Sequence, residues 1–136
     1  MPEQRLDRGI LDTSVVIDLE RIDASGLPRE VAITSITMAE LAAGPHATRD
    51  AAERARRQDR LQRAEAAFDP IPFDAAAARA FGRIYATVVA RGRKARGARA
   101  VDLLIAAVAA AAELPLCTRN PDDFSGLGDL VTVVAL

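Results

Sequence analysis

Apolar positions fall along this chain in two kinds of patch. Short runs, GIL at 9–11, VAIT at 31–34, IPF at 71–73, LPLC at 114–117 and LVTVV at 130–134, read as buried strands. Between them lie longer stretches of helical spacing or composition at about Val15–Arg21, Met38–Ala43, Arg49–Ala67, Ala75–Ala90 and Val101–Glu113. Strand and helix signals alternate, which predicts an α/β domain with a mainly parallel central sheet. AGPH around Gly44 and Pro45 ends one helix, since glycine tolerates a left-handed cap and proline cannot continue the hydrogen-bond ladder. FDPIPFD then marks a loop and a short strand.

Composition narrows the picture. With 136 residues, half of them hydrophobic, the chain can bury one sizeable core, and with no repeat or low-complexity linker in sight we expect a single domain over 1–136. A formal charge of −1 leaves no global basic field, so affinity for nucleic acid must come from local arginine clusters. The single cysteine, Cys117, has no internal partner and reads as a small buried hydrophobe. The start, MPEQRLDRG, lacks the apolar region of a signal peptide, and the longest apolar run, Leu103 to Ala112, is short for a membrane span. A cytoplasmic protein with no membrane association is the expectation.

Candidate chemistry lies in acids at predicted strand ends, the edge where parallel sheets bind ligands. Asp12 follows the first strand, Glu40 lies a turn into the helix after the second, Asp102 opens the helix before the fourth, and Asp122 and Asp123 follow in CTRNPDDF. Each has an ordinary explanation. Asp12, Thr13 or Ser14 can N-cap a helix. Thr37 and Glu40 fit a capping box. Asp102 suits a first turn, although Val101, Leu103, Leu104 and Ile105 give it an apolar setting, and NPDD reads as a helix start with Asn120 as cap. Collected on one sheet edge, however, these carboxylates raise each other's pKa unless a cation holds them. Hard oxygen donors suit Mg²⁺ or Mn²⁺.

The set ILDTSVVIDL, SITMAELAAG, VDLLIAAVA and TRNPDDFSGL, in that order and over nearly the whole chain, resembles the PIN-domain ribonucleases, most closely the VapC toxins of bacterial VapBC toxin–antitoxin pairs. The resemblance implies a three-layer α/β/α sandwich with an acidic cluster holding Mg²⁺ or Mn²⁺. It carries the metal-binding and catalytic roles onto Asp12, Glu40, Asp102 and Asp123, and supporting polar roles onto Thr13, Ser14, Thr118 and Asn120. The role of Asp122 stays open. Val101 departs from the asparagine that many relatives carry before the third aspartate. The resemblance also implies an RNA substrate such as tRNA or rRNA, a homodimer, and a VapB-type antitoxin whose C-terminal segment covers the acids with an arginine or apolar side chain, over a groove that residues such as Leu41 and Ala42 line if they are not core.

Metal-assisted hydrolysis would leave a 5′-phosphate and a 3′-hydroxyl, whereas a histidine mechanism is disfavoured because His46, in a turn, is the only histidine. Two arginine-rich stretches stand out. ARGRKARGAR places Arg91, Arg93, Lys94, Arg96 and Arg99 just before Asp102, either as RNA contacts or as a solvated loop. RDAAERARRQDRLQR mixes arginines with acids at helical spacing and reads as a solvated face or an antitoxin contact. Competing readings are a phospho-acceptor signalling domain, disfavoured because Lys94 is the only lysine, and a catalytically silent binding module.

Overall fold

The computed structural model describes residues 5–93 and 97–136. In chain order the regular elements are β1 (Arg8–Leu11), α1 (Thr13–Ile17), β2 (Glu30–Ala32), α2 (Ser35–Ala43), α3 (Ala51–Ala67), α4 (Ala75–Ala90), α5 (Ala98–Ala112), β3 (Leu116–Thr118) and β4 (Val133–Ala135). The sheet runs in the order β2-β1-β3-β4, and all its pairs are parallel. Leu11 lies opposite Cys117, which in turn lies opposite Val134.

Strand alternation divides the core between the two faces of this sheet. Ile10 and Leu116 point into a cluster built with Ala80, Ile84 and Val88 of α4 and with Leu103 and Ile105 of α5. Their neighbours Leu11 and Cys117 point the other way, into a cluster with Val15 and Val16 of α1, Leu41 of α2 and Ala64 of α3. Helices therefore cover both faces, which is the three-layer α/β/α arrangement. On α4 the buried residues Ala80, Ile84 and Val88 recur every fourth position, and burying a side chain such as Ile84 contributes about 1.5–3 kcal/mol. Cys117 is fully buried, and burial pushes its thiol up to about 11, as suits an inert packing residue. Among the described residues no helix is long and apolar enough to cross a membrane.

Several expectations need correction. Residues 71–73 form no strand; Ile71 makes one bridge, to Thr34, because the flanking Pro70 and Pro72 have no N–H to extend a ladder. The segment expected as one helix at 15–21 splits into α1 and a 3-10 turn at Leu19–Arg21. α2 starts at Ser35, three residues before its expected start at Met38, with Thr34 as cap accepting from the Thr37 N–H at 3.1 Å. The expected capping box at Thr37 and Glu40 is therefore absent. α5 begins at Ala98, which moves Asp102 from the expected first turn into the second.

Candidate functional site

The chain leaves β1 toward β2 on one side, while β3 pairs on the other, so the sheet switches direction between β1 and β3. Ligands bind at such switch points, beyond the carboxyl ends of the strands. Asp12 stands there, directly after β1, with its N–H bonded to the Cys117 carbonyl at 2.8 Å.

Although Asp12 is the N-cap residue of α1, its side chain makes no capping bond. Its carboxylate is instead buried, and Oδ2 accepts hydrogen bonds from Ser14 Oγ and Thr118 Oγ1, each at 2.8 Å. Those hydroxyls are themselves acceptors: Ser14 Oγ takes the Arg119 N–H at 3.1 Å, and Thr118 Oγ1 takes the Asn120 N–H at 3.0 Å. The loop after β3 is thereby tied to Asp12 through two hydroxyls. Asn120 contributes through its main chain, and its own side chain caps nothing. Both bonds to Asp12 fall on one oxygen, which leaves Oδ1 for another ligand.

Glu40 meets the site from α2. Thr13 Oγ1 donates to its Oε1 at 2.6 Å, and the hydroxyls of Thr13 and Thr37 lie 3.0 Å apart. Thr13 has one proton, and the carboxylate takes it, so Thr37 is the donor in the second contact. Thr37, fully buried, is the site residue that sequence reading misplaced at a cap. Its signal was the three-residue spacing to Glu40, which puts both on one helix face once the helix begins at Ser35.

Asp102 lies half-buried on α5. Its carboxyl is pushed up to about 7, first by burial and then by the negative charges of Asp12, Asp123 and Glu40, with Arg99 opposing them. Acids from separate elements thus share one electrostatic field. Asp123 belongs to the 3-10 turn Pro121–Phe124, and its main-chain carbonyl accepts from Arg99 Nη1 at 2.9 Å. Asp122 next to it is exposed and is not among the charges acting on Asp102, so the geometry favours Asp123. Val101 packs against the larger core cluster rather than facing the acids.

Of the arginine-rich segment, Arg91 and Arg93 are exposed and Arg99 is held by Asp123, while Lys94 and Arg96 lie outside the described residues. The Arg91 side chain lies over Gly126, where an added Cβ would come 3.1 Å from its Cδ, and that glycine has a φ of +86°. His46 is exposed in the turn Gly44–Ala47. Beside Thr13 and Glu40 opens a cavity of about 330 Å³ whose other wall includes Arg57 and Arg60 of α3. An apolar groove of about 300 Å³ continues between α1 and α3, lined by Val16, Ile17, Ala64, Ala67 and Phe68, and shares Ile17 and Arg60 with that cavity.

A divalent cation suits this donor set. The oxygens are hard, and burial with mutual repulsion raises Asp102 in the way that an unneutralised cluster must. Among the described residues no three acidic, histidine or cysteine side chains converge into a ready-made cage.

The PIN domain family model matches residues 10–130. Ribonuclease VapC5 of Mycobacterium tuberculosis is 38% identical over 128 residues, 92% of this chain and 91% of that one. Ribonuclease VapC8 of the same organism is 39% identical over 110 residues, covering 80% and 96%. Among solved structures, VapBC-5 of Mycobacterium tuberculosis, a member of the VapBC family of toxin–antitoxin systems, superimposes with a TM-score of 0.81 at 37% identity, over 96% of this chain and 98% of that one. FitAcB of Neisseria gonorrhoeae, at 24% identity and a TM-score of 0.69 over 92% and 95%, shares the fold. With the acids after β1, on α2, on α5 and in the turn after β3 placed around one switch point, and with these matches over nearly its whole length, the chain belongs to the PIN-domain family, among the VapC ribonucleases.

Proposed function

We propose that this protein is a metal-dependent endoribonuclease and the toxin of a type II toxin–antitoxin pair. One observation carries the reading: at the carboxyl end of a parallel sheet the Asp102 carboxyl is raised to about 7 by its burial and by the charges of Asp12, Asp123 and Glu40. Its relatives named as VapC ribonucleases and its likeness to the VapBC-5 structure support the substrate class and a VapB-type partner.

Asp12 and Asp102 are the proposed holders of Mg²⁺ or Mn²⁺, with Asp123 and Glu40 beside them. When bound, such an ion stabilises charge on the scissile phosphate and makes a bound water more acidic. The chain's own groups do the rest. Ser14 and Thr118 fix the Asp12 carboxylate through Oδ2, so that Oδ1 meets its ligand at a set position. Thr13 holds Glu40 through Oε1, which leaves Oε2 to accept a proton from the attacking water. Hydrolysis by this route yields a 5′-phosphate and a 3′-hydroxyl. A tRNA or rRNA substrate and a homodimeric assembly complete the proposal. The apolar groove between α1 and α3 is the seat proposed for the antitoxin, and Ile17, 48% exposed, lies in it.

The test is cleavage of total bacterial RNA by the antitoxin-free protein, with Mg²⁺ or Mn²⁺ against EDTA, and with Asp12→Asn and Asp102→Asn as controls. Metal-dependent cuts at a few sites, bearing 5′-phosphates and lost in both variants, are expected. Products ending in a 2′,3′-cyclic phosphate would sink the mechanism.

A further inference from the structure

An acidic site has to admit a polyanion, and one divalent ion does not neutralise Asp12, Glu40, Asp102 and Asp123. Cations must flank the acids for RNA to approach. On the α4–α5 face of the sheet, Arg99 donates to the Asp123 carbonyl through Nη1 and Arg91 lies over Gly126. The opposite face carries cations that the activity described above does not use.

We propose that Arg57 and Arg60 of α3 form a phosphate-binding subsite for the RNA strand, in the cavity they share with Thr13 and Glu40. The inference rests on the ribonuclease reading and says where the substrate's backbone runs. Arg57 is pre-positioned: its Nε donates to Glu53 at 3.1 Å and its Nη1 to the Gly44 carbonyl at 2.9 Å. Glu53 also accepts from Arg56 at 2.7 Å, so one carboxylate faces two guanidinium groups before Arg60 is counted. Arg60 makes no ion pair among the described residues, and Asp59, beside it in the chain, is paired with Arg63 at 3.0 Å. Positive charge is therefore in excess along this wall. A guanidinium also presents a planar fork that fits phosphate oxygens, which makes arginine suited to the task. A phosphate in the cavity touches the wall that carries Glu40, and the arginines offset the repulsion from that carboxylate. Such contacts position the strand without reading its sequence.

The experiment measures binding of a fluorescein-labelled oligouridylate to the full chain in EDTA, across a salt series, for wild type, Arg60→Gln, Arg57→Gln and Arg60→Lys. Each lost phosphate contact is expected to lower the slope of log affinity against log salt by about 0.7, with affinity falling roughly 10-fold at low salt for the Gln variants. Arg60→Lys is expected to keep the slope. In the cleavage assay KM should rise by a larger factor than kcat falls. Unchanged affinity and slope in both Gln variants would overturn the subsite, as would a wild type that fails to bind the oligouridylate. So would an Arg60→Gln variant that binds RNA normally but no longer binds a co-expressed antitoxin, since the arginine would then belong to the protein partner. RNA binding with the expected slopes but no cutting by wild type in Mg²⁺ or Mn²⁺ would uphold the subsite and overturn the nuclease reading, so the two failures are distinct.

Discussion

Thr118 places its hydroxyl 2.8 Å from Oδ2 of Asp12, a residue 106 positions earlier in the chain. Thr118 Oγ1 in turn accepts from the Asn120 N–H, so one side chain links the end of β1 to the loop after β3. Thr118→Val keeps the shape and removes both functions. It is expected to cost about 1–3 kcal/mol, because the buried carboxylate loses a donor and the N–H its acceptor. Urea unfolding in EDTA measures this, and Thr118→Ser should retain most of the stability.

The pH dependence follows from Asp102, whose carboxyl stands at about 7 in the folded chain against an ordinary value of 3.8. A carboxyl raised on folding holds its proton more tightly in the native state. Between those two values the native protein thus carries more protons than the unfolded one, and stability of the metal-free protein falls as pH rises through the window. Below the lower value this contribution is flat. Asp102→Asn should flatten the profile and be the more stable protein at pH about 8, where only the wild type carries the charge. Urea midpoints in EDTA from acid to pH about 8 give the answer, and a wild-type profile that rises in step with the variant's would contradict it.

Arg99 acts on the site through the position of Asp123 and through its charge opposite Asp102. Its Nη1 bond to the Asp123 carbonyl spans from the first turn of α5 to the turn after β3. Arg99→Met is expected to lower kcat by about 10–100-fold, since a small misplacement of a reacting group costs that much. The concentration of Mn²⁺ giving half the maximal rate should rise with it. A change confined to KM would instead place Arg99 on the substrate.

Gly9 marks where the sheet tolerates no side chain. A Cβ there would lie 2.8 Å from Pro28 Cγ and 3.2 Å from Cys117 Sγ, inside the buried centre of β1. Gly9→Ala is expected to destabilise by about 1–3 kcal/mol through overpacking. The thermal midpoint should drop while the cleavage products keep their positions, and an unchanged midpoint would show that Pro28 yields freely.

Much of this protein could be read from its sequence. The alternation of apolar runs with helical patterns predicts the parallel α/β fold, because buried strands and amphipathic helices leave different periods in the chain. Asp12, Glu40, Asp102 and Asp123 were legible as candidates from their places after strands and within helices, and the extent of α4 matches its pattern from Ala75 to Ala90. Tertiary structure decided what periodicity does not encode. Asp12 could have capped α1, yet its carboxylate is taken by Ser14 and Thr118, because the parallel pairing of β1 with β3 brings a residue from the far end of the chain within hydrogen-bond reach. Thr37 and Glu40 looked like a capping box, but Thr34 caps the helix and frees both to face Thr13. The arginines of α3 read from the sequence as a solvated face or an antitoxin contact, and only packing sets Arg57 and Arg60 across a cavity from Glu40. In each case a contact distant in sequence, which no local pattern encodes, completes the arrangement.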